Sequence, residues 1–301
     1  MEFLRPATWD EALAAKAEFP TALPISGGTD VMVEMNFDVH RPSALLDLNR
    51  ISELREWSID TSAKGDETVL LGASVPYSRI IDELSGPLPG LALAAHTVGS
   101  PQIRNRGGVG GNLGGASPAG DAHPALLAAG RDVFVEVASH ARGTRLIPID
   151  EFYVGVKRNS MQPDELIRRV HIPVADGPQQ FSKIGTRNAM VIAVAAFGFA
   201  LHPKTRTVGT GIGSAAPTPR RAVEAEEYLQ GVLAERGLWE SGDLLGAEVV
   251  QRFGELVRAA ASPIDDVRGT ADYRRHTLAV MARRTLTWTW NDYSKQIRSA
   301  A

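Results

Sequence analysis

Two short runs concentrate residue types from which a ligand site can be built: Ser26-Gly27-Gly28-Thr29-Asp30 and Gly107-Gly108-Val109-Gly110-Gly111-Asn112. Each borders an apolar segment, and a glycine turn of that kind can aim several backbone N–H groups at one anion. Together the two could grip a diphosphate. Taken singly, each reads equally well as a tight turn with no ligand, because isolated glycine motifs are weak signals. From Gly99 to Gly120 there are eight glycines in 22 residues, a density that implies positive φ angles or a backbone that something approaches closely. A loop is the expected conformation. The cluster contains no G-x-G-x-x-G and the chain no Gly-Lys dipeptide, which disfavours a Rossmann or P-loop domain.

Arg104 and Arg106 precede the second run and Asp121 follows it; an acid there suits a ligand hydroxyl or ring nitrogen better than a phosphate. Asp121-Ala122-His123 is a poor acid/base pair, since side chains two apart diverge on a helix and His123-Pro124 reads as a helix start. His123 is therefore expected to be structural. In Phe181-Ser182-Lys183-Ile184-Gly185-Thr186-Arg187, strand alternation puts Lys183 and Gly185 on one face, from which Lys183 could reach a site. A solvated strand lysine is the competing reading. The absence of H-E-x-x-H, G-x-S-x-G and clustered histidines leaves metal-assisted hydrolysis and serine esterase chemistry without support.

These residues need a scaffold of more than one core. The chain has 301 residues, 44% hydrophobic and 22% charged, above the size at which a single core stops growing. A net charge of −3 creates no field for nucleic acid or an anionic membrane. With no cysteine, the chain can form neither disulfides nor thiolate-ligated zinc or iron–sulfur sites. The N-terminus lacks a secretory pattern, so a cytoplasmic location is expected. The longest apolar run, Val191 to Leu201, falls short of the roughly 20 residues of a membrane span.

The capping box Thr8-Trp9-Asp10-Glu11 predicts a helix over Glu11–Phe19. Leu23–Ile25 and Ala44–Leu48 read as strands around a short apolar turn or helix at Val31–Met35. A second unit begins near Trp57, with strands at Thr68–Gly72, Val133–Val137 and Arg145–Ile149 and helices at Tyr77–Leu84 and Leu88–Thr97. Ala175-Asp176-Gly177-Pro178 reads as a linker. Beyond it come strands at Gln180–Thr186, Val191–Leu201 and Thr207–Ala215, then helices at Ala222–Arg236, Gly246–Ala261 and Ala271–Trp290.

Ile25 to Val31 taken with Val109 to Asp121, followed by Pro163-Asp164-Glu165-Leu166-Ile167 leading into His171-Ile172-Pro173, Phe181 to Arg187 and Asp272-Tyr273-Arg274-Arg275, resembles the FAD-binding medium subunit of molybdenum hydroxylases. That group includes the flavoprotein subunits of xanthine, carbon monoxide and nicotine dehydrogenases. The resemblance covers essentially the whole chain. It implies an α+β protein with the FAD-binding fold of vanillyl-alcohol oxidase and p-cresol methylhydroxylase. Residues 1–175 would form the FAD-binding domain as two α/β subdomains, 1–55 and 56–175, and residues 176–301 a C-terminal domain with a small antiparallel sheet and helices.

By the same resemblance, Ile25, Ser26, Gly27, Gly28, Thr29, Asp30 and Val31 would wrap the FAD diphosphate from one side. Gly108, Val109, Gly110, Gly111 and Asn112 would oppose them. Gly108 stands where some relatives have a hydroxyl side chain, so a phosphate contact there would come from backbone. Ser117 and Asp121 would approach the flavin and ribityl polar groups, Ile167 the ring system, and Lys183 the polar edge of the isoalloxazine. No metal ligand is expected in this chain. Its partners would be a large molybdopterin subunit and a small [2Fe–2S] subunit in a dimer of heterotrimers. FAD would take electrons from those clusters and pass them to an external acceptor. Asn188-Ala189-Met190 lacks the acidic residue common in NAD-linked relatives, which leaves NAD, a quinone, oxygen or a carrier protein open as acceptor. The rival readings are a stand-alone FAD oxidoreductase of the same fold and a flavin-free scaffold.

Overall fold

The computed structural model describes residues 1–39 and 41–300. The chain opens with β1 (Glu2–Leu4), α1 (Trp9–Glu18), β2 (Leu23–Ile25), α2 (Val31–Asn36) and β3 (Ala44–Asp47). The strands form a parallel sheet of order β1-β3-β2. Thr8 Oγ1 accepts from Glu11 N at 3.2 Å, and the Glu11 carboxylate reaches back to Ala7 N at 2.7 Å. With its first turn satisfied, α1 begins at Trp9, two residues earlier than expected.

After a 3₁₀ turn at Ser52–Arg55 come β4 (Trp57–Thr61), β5 (Glu67–Gly72), α3 (Tyr77–Glu83), α4 (Pro89–His96), α5 (Pro101–Arg104), α6 (Val109–Gly114) and α7 (Ala122–Ala128). Then follow β6 (Phe134–Ser139), β7 (Gly143–Pro148), α8 (Ile149–Phe152), the hairpin β8 (Tyr153–Gly155) and β9 (Arg158–Asn159), and β10 (Leu166–Pro173). Here β4-β5-β10-β6-β7 form an antiparallel sheet with β10 at its centre. A bulge between Ile167 and Arg169 shifts the β10–β6 register, and just before it the adjacent Leu166 and Ile167 are both buried.

The Gly99–Gly120 stretch departs from the expected loop, for it contains α5 and α6. Ser100 caps α5, its Oγ accepting from Ile103 N, and Pro101 occupies the first helical position. Of the eight glycines only Gly99 has a positive φ. The close-approach reason dominates: an ideal Cβ at Gly108 would stand 2.7 Å from Val75 O, and one at Gly110 2.5 Å from Ala73 O.

The remainder comprises β11 (Gln179–Ile184), β12 (Ala195–His202), β13 (Thr207–Gly213), α9 (Val223–Glu235), α10 (Leu238–Ser241), α11 (Ala247–Ala260) and α12 (Ala271–Ala300). The three strands make an antiparallel sheet. The strand expected from Val191 starts only at Ala195, because Val191 folds back over Gly185, where an ideal Cβ would meet Val191 Cγ1 at 2.1 Å. α12 extends ten residues beyond the expected Trp290 to Ala300, and Tyr293, inside that extension, is buried. Buried apolar side chains fall into two clusters, one from Trp9 to Ala196 and one from Ala195 to Tyr293. No helix among the described residues is long and apolar enough to cross a membrane.

Candidate functional site

Both glycine runs line one cavity of about 490 Å3, whose walls come from β2 and the run that follows it, α6, the β8–β9 hairpin and the start of β10. The first run is tied down at its start. Ser26 Oγ donates to Ser74 Oγ at 2.9 Å, and Asn49 Nδ2 donates to Ser26 O at 2.8 Å and to Asp47 Oδ1 at 2.7 Å. Gly28 has φ +75, a left-handed conformation that side chains resist. Gly27 is needed for another reason: its ideal Cβ would lie 2.0 Å from Arg106 O, so the two runs are packed backbone to backbone. Among the described residues the N–H groups of Gly27, Gly28, Thr29 and Asp30 have no protein acceptor. Such donors need a partner when water is displaced.

On the opposing run, nothing lies within 4 Å of an ideal Cβ at Gly111, so a side chain there would occupy cavity space. Asn112 is fixed by its main chain, Tyr153 Oη donating to Asn112 O at 3.0 Å, while its buried Oδ1 has no partner. Leu166 and Ile167 add an apolar surface.

Of the residues singled out from sequence, Ser26, Gly27, Gly28, Thr29, Asp30, Val31, Gly108, Gly110, Gly111, Asn112 and Ile167 line the cavity. Ile25, Val109, Ser117, Asp121 and Lys183 are not on its wall. Ile25 and Val109 are buried behind it, and Ser117 Oγ accepts from Ala119 N at 3.3 Å. Lys183 Nζ donates to Asp121 Oδ2 at 2.6 Å and to Thr97 O at 3.1 Å, both side chains being less than a tenth exposed. Burial pushes the Asp121 carboxyl above its ordinary range, with Lys183 opposing that shift. His123 sits in the core, edge-on to Tyr153 at 4.0 Å between ring centres.

The cavity also uses Lys16, Glu34, Tyr77, Lys157 and Met161, which no local spacing announces. Lys16 is buried on α1 beside Ala12 and Leu13, and its ammonium donates to Pro20 O at 2.8 Å and Ala22 O at 2.7 Å. Its position on a helix face otherwise made of small and apolar residues was the one usable signal. Lys157 lies at the hairpin tip with φ +56, and Glu34 comes from α2. Among the described residues no group of three or more His, Asp or Glu could hold a metal ion.

An unpaired row of amides, a side-chain-free opening at Gly111 and a neighbouring apolar shelf fit an elongated ligand that is anionic along its length and flat and apolar at one end. Residues 1–175 match the family model for the FAD binding domain in molybdopterin dehydrogenase, and residues 180–289 match the CO dehydrogenase flavoprotein C-terminal domain. The xanthine dehydrogenase FAD-binding subunit of Escherichia coli O157:H7 is 28% identical over 298 residues, with 94% of each chain covered. The nicotinate dehydrogenase FAD-subunit of Eubacterium barkeri is 31% identical over 243 residues, covering 76% of this chain and 79% of that one. A solved structure of carbon monoxide dehydrogenase from Hydrogenophaga pseudoflava, lacking the Mo-pyranopterin moiety of its cofactor, superimposes with a TM-score of 0.84 at 27% identity, covering 96% of this chain and 97% of that one.

Proposed function

This chain belongs to the family of FAD-binding flavoprotein subunits of molybdopterin dehydrogenases, and from that membership we propose that it is the FAD-carrying electron-transfer subunit of a molybdenum-containing hydroxylase or dehydrogenase. Its fold would be of the vanillyl-alcohol oxidase type, divided near residue 175. When bound, FAD supplies a redox centre able to take and give electrons. With no cysteine of its own, the chain would receive those electrons from [2Fe–2S] clusters held by a small partner subunit. Substrate oxidation would belong to a large molybdopterin subunit, and an external acceptor would remove the electrons. A dimer of heterotrimers is the assembly we infer from the resemblance.

The observation that carries this reading is the acceptor-free row Gly27–Asp30 in one cavity with the open position at Gly111. The amides of that row would hold the diphosphate without a charged side chain, and Asn112 would border it from the opposing run. Ile167, on the cavity wall, would exclude water from one face of the ring system. Lys183 and Asp121 act from behind the wall, and because each neutralises the other they act as a positioning pair for the surrounding backbone. Ile25, Val109 and Ser117 support the two runs without facing the ligand.

The test is to denature the purified chain and identify what is released. FAD at one per chain, and its loss in a Gly111→Leu variant that keeps its thermal midpoint, is the expected outcome. A colourless chain that takes up no added FAD, or a Gly111→Leu variant with full flavin content, overturns the placement.

A further inference from the structure

Two charged residues meet across the cavity from different elements, Lys157 at the tip of the β8–β9 hairpin and Glu34 on α2: Lys157 Nζ lies 3.1 Å from Glu34 Oε1, and both residues line the cavity wall. The elements that carry them are unequally anchored. The β8–β9 hairpin is pinned to α6, with Lys157 N donating to Ala116 O at 3.1 Å and Asn159 Nδ2 to Gly114 O at 3.1 Å. Tyr153 anchors its base, buried against His123 and bonded to Asn112 O. By contrast α2 has six residues and no buried side chain, and Met32, Val33 and Phe37 are exposed. A helix that buries nothing belongs to the low-stability end of a fold. It is entered through Gly28 at φ +75, a position with the backbone freedom of a hinge.

We propose that α2 is a gate on the cavity, latched by the Glu34–Lys157 ion pair against the fixed hairpin, and that its opening sets the rate of cofactor exchange. This rests on the FAD reading above. The pair is half-exposed at Lys157 and more than a quarter exposed at Glu34, so it is screened by salt and weak enough to open without unfolding the protein. The left-handed backbone at Lys157, φ +56, is stabilised by the Ala116 bond and holds the ammonium where Glu34 arrives when α2 closes. Val31, at the start of α2, also lines the cavity, so swinging the helix removes part of the wall together with the latch.

The full chain loaded with FAD is compared with Glu34→Lys, Lys157→Glu and the double exchange, reading flavin release after dilution by fluorescence. Each single reversal should speed release about three- to tenfold at low salt, and the double exchange should restore the parent rate to within about twofold. Raising salt should speed release from the parent and the double exchange and leave the singles unchanged or slower. Thermal midpoints of the flavin-free forms should agree, since α2 buries no side chain. Equal release rates in all four forms, or a double exchange as fast as the singles, overturn the gate while leaving flavin binding intact. A parent chain without flavin overturns both readings.

Discussion

At position 123 an imidazole is buried in the first core with one nitrogen satisfied and the other bare. His123 Nε2 lies 3.0 Å from Ile149 O, to which it donates, whereas Nδ1 has no partner. A proton added at Nδ1 would be an uncompensated buried charge, and burial pulls the His123 pKa down from 6.5 to about 4. On acidification the unfolded chain therefore binds this proton first. The contribution is fully present above about pH 6.5 and is lost as pH falls towards 4, by about 3 kcal/mol in all. Urea midpoints measured at pH 7.5 and 4.5 should fall further for the parent than for His123→Gln, which does not titrate; parallel falls would sink the assignment. Residue type alone does not disclose such roles. Gly27 and Gly111 look alike in sequence, yet the first is glycine because Arg106 O blocks a Cβ and the second because a Cβ would enter the cavity.

Among elements, α7 shows how glycines far from the cavity position it. It lies on a strip of β12 and β13 without side chains: an ideal Cβ at Gly211 would stand 1.9 Å from Pro124 O, and one at Gly209 2.1 Å from Ala128 O. Gly198 pairs with Gly211 across the strip. Gly211→Val must lift α7 and with it Asp121, at its N-terminus, so it should lower stability by 3 kcal/mol or roughly that figure, the upper range for overpacking. Gly231→Ala, in α9 with nothing within 4 Å, should raise stability by about 0.5–1 kcal/mol. Calorimetric midpoints check both, and a Gly211→Val protein as stable as the parent would contradict the packing. The periodic helices were legible in sequence: α9 and α11 begin and end within one residue of expectation, because burial and propensity agree there. The central strand β10 was not marked as a strand, since Arg168, Arg169 and His171 interrupt its apolar pattern. Those side chains collect around Glu136, which accepts from His171 at 2.7 Å and lies 3.0 Å from Arg169 Nε, a pairing set by sheet register. Likewise the glycine runs were legible, while Glu34 and Lys157, 123 positions apart, meet only once α2 and the β8–β9 hairpin have been brought together by the fold.

In the whole molecule the two hydrophobic clusters meet at β11 and β12, and the Lys183–Asp121 pair joins β11 to the start of α7 beside the end of α4. A buried ion pair is expensive to half-remove, because the surviving charge has neither water nor partner. Lys183→Met should therefore destabilise the protein by about 3 kcal/mol at pH 7. The sign with pH follows from Asp121, whose carboxyl is already raised by burial and is held back only by Lys183 and its hydrogen bonds. Without the ammonium the folded pKa rises further above the unfolded value, so the folded variant takes up a proton before the unfolded chain does. Its deficit relative to the parent must then shrink as pH falls from 7 towards 5. Asp121→Asn on top of Lys183→Met removes the stranded charge, and the pair of changes should cost less than the sum of the two separately. Guanidinium denaturation of the three variants at both pH values measures this directly. A deficit independent of pH, or strict additivity, would mean that the junction is held by apolar packing alone and that the ion pair does not position it.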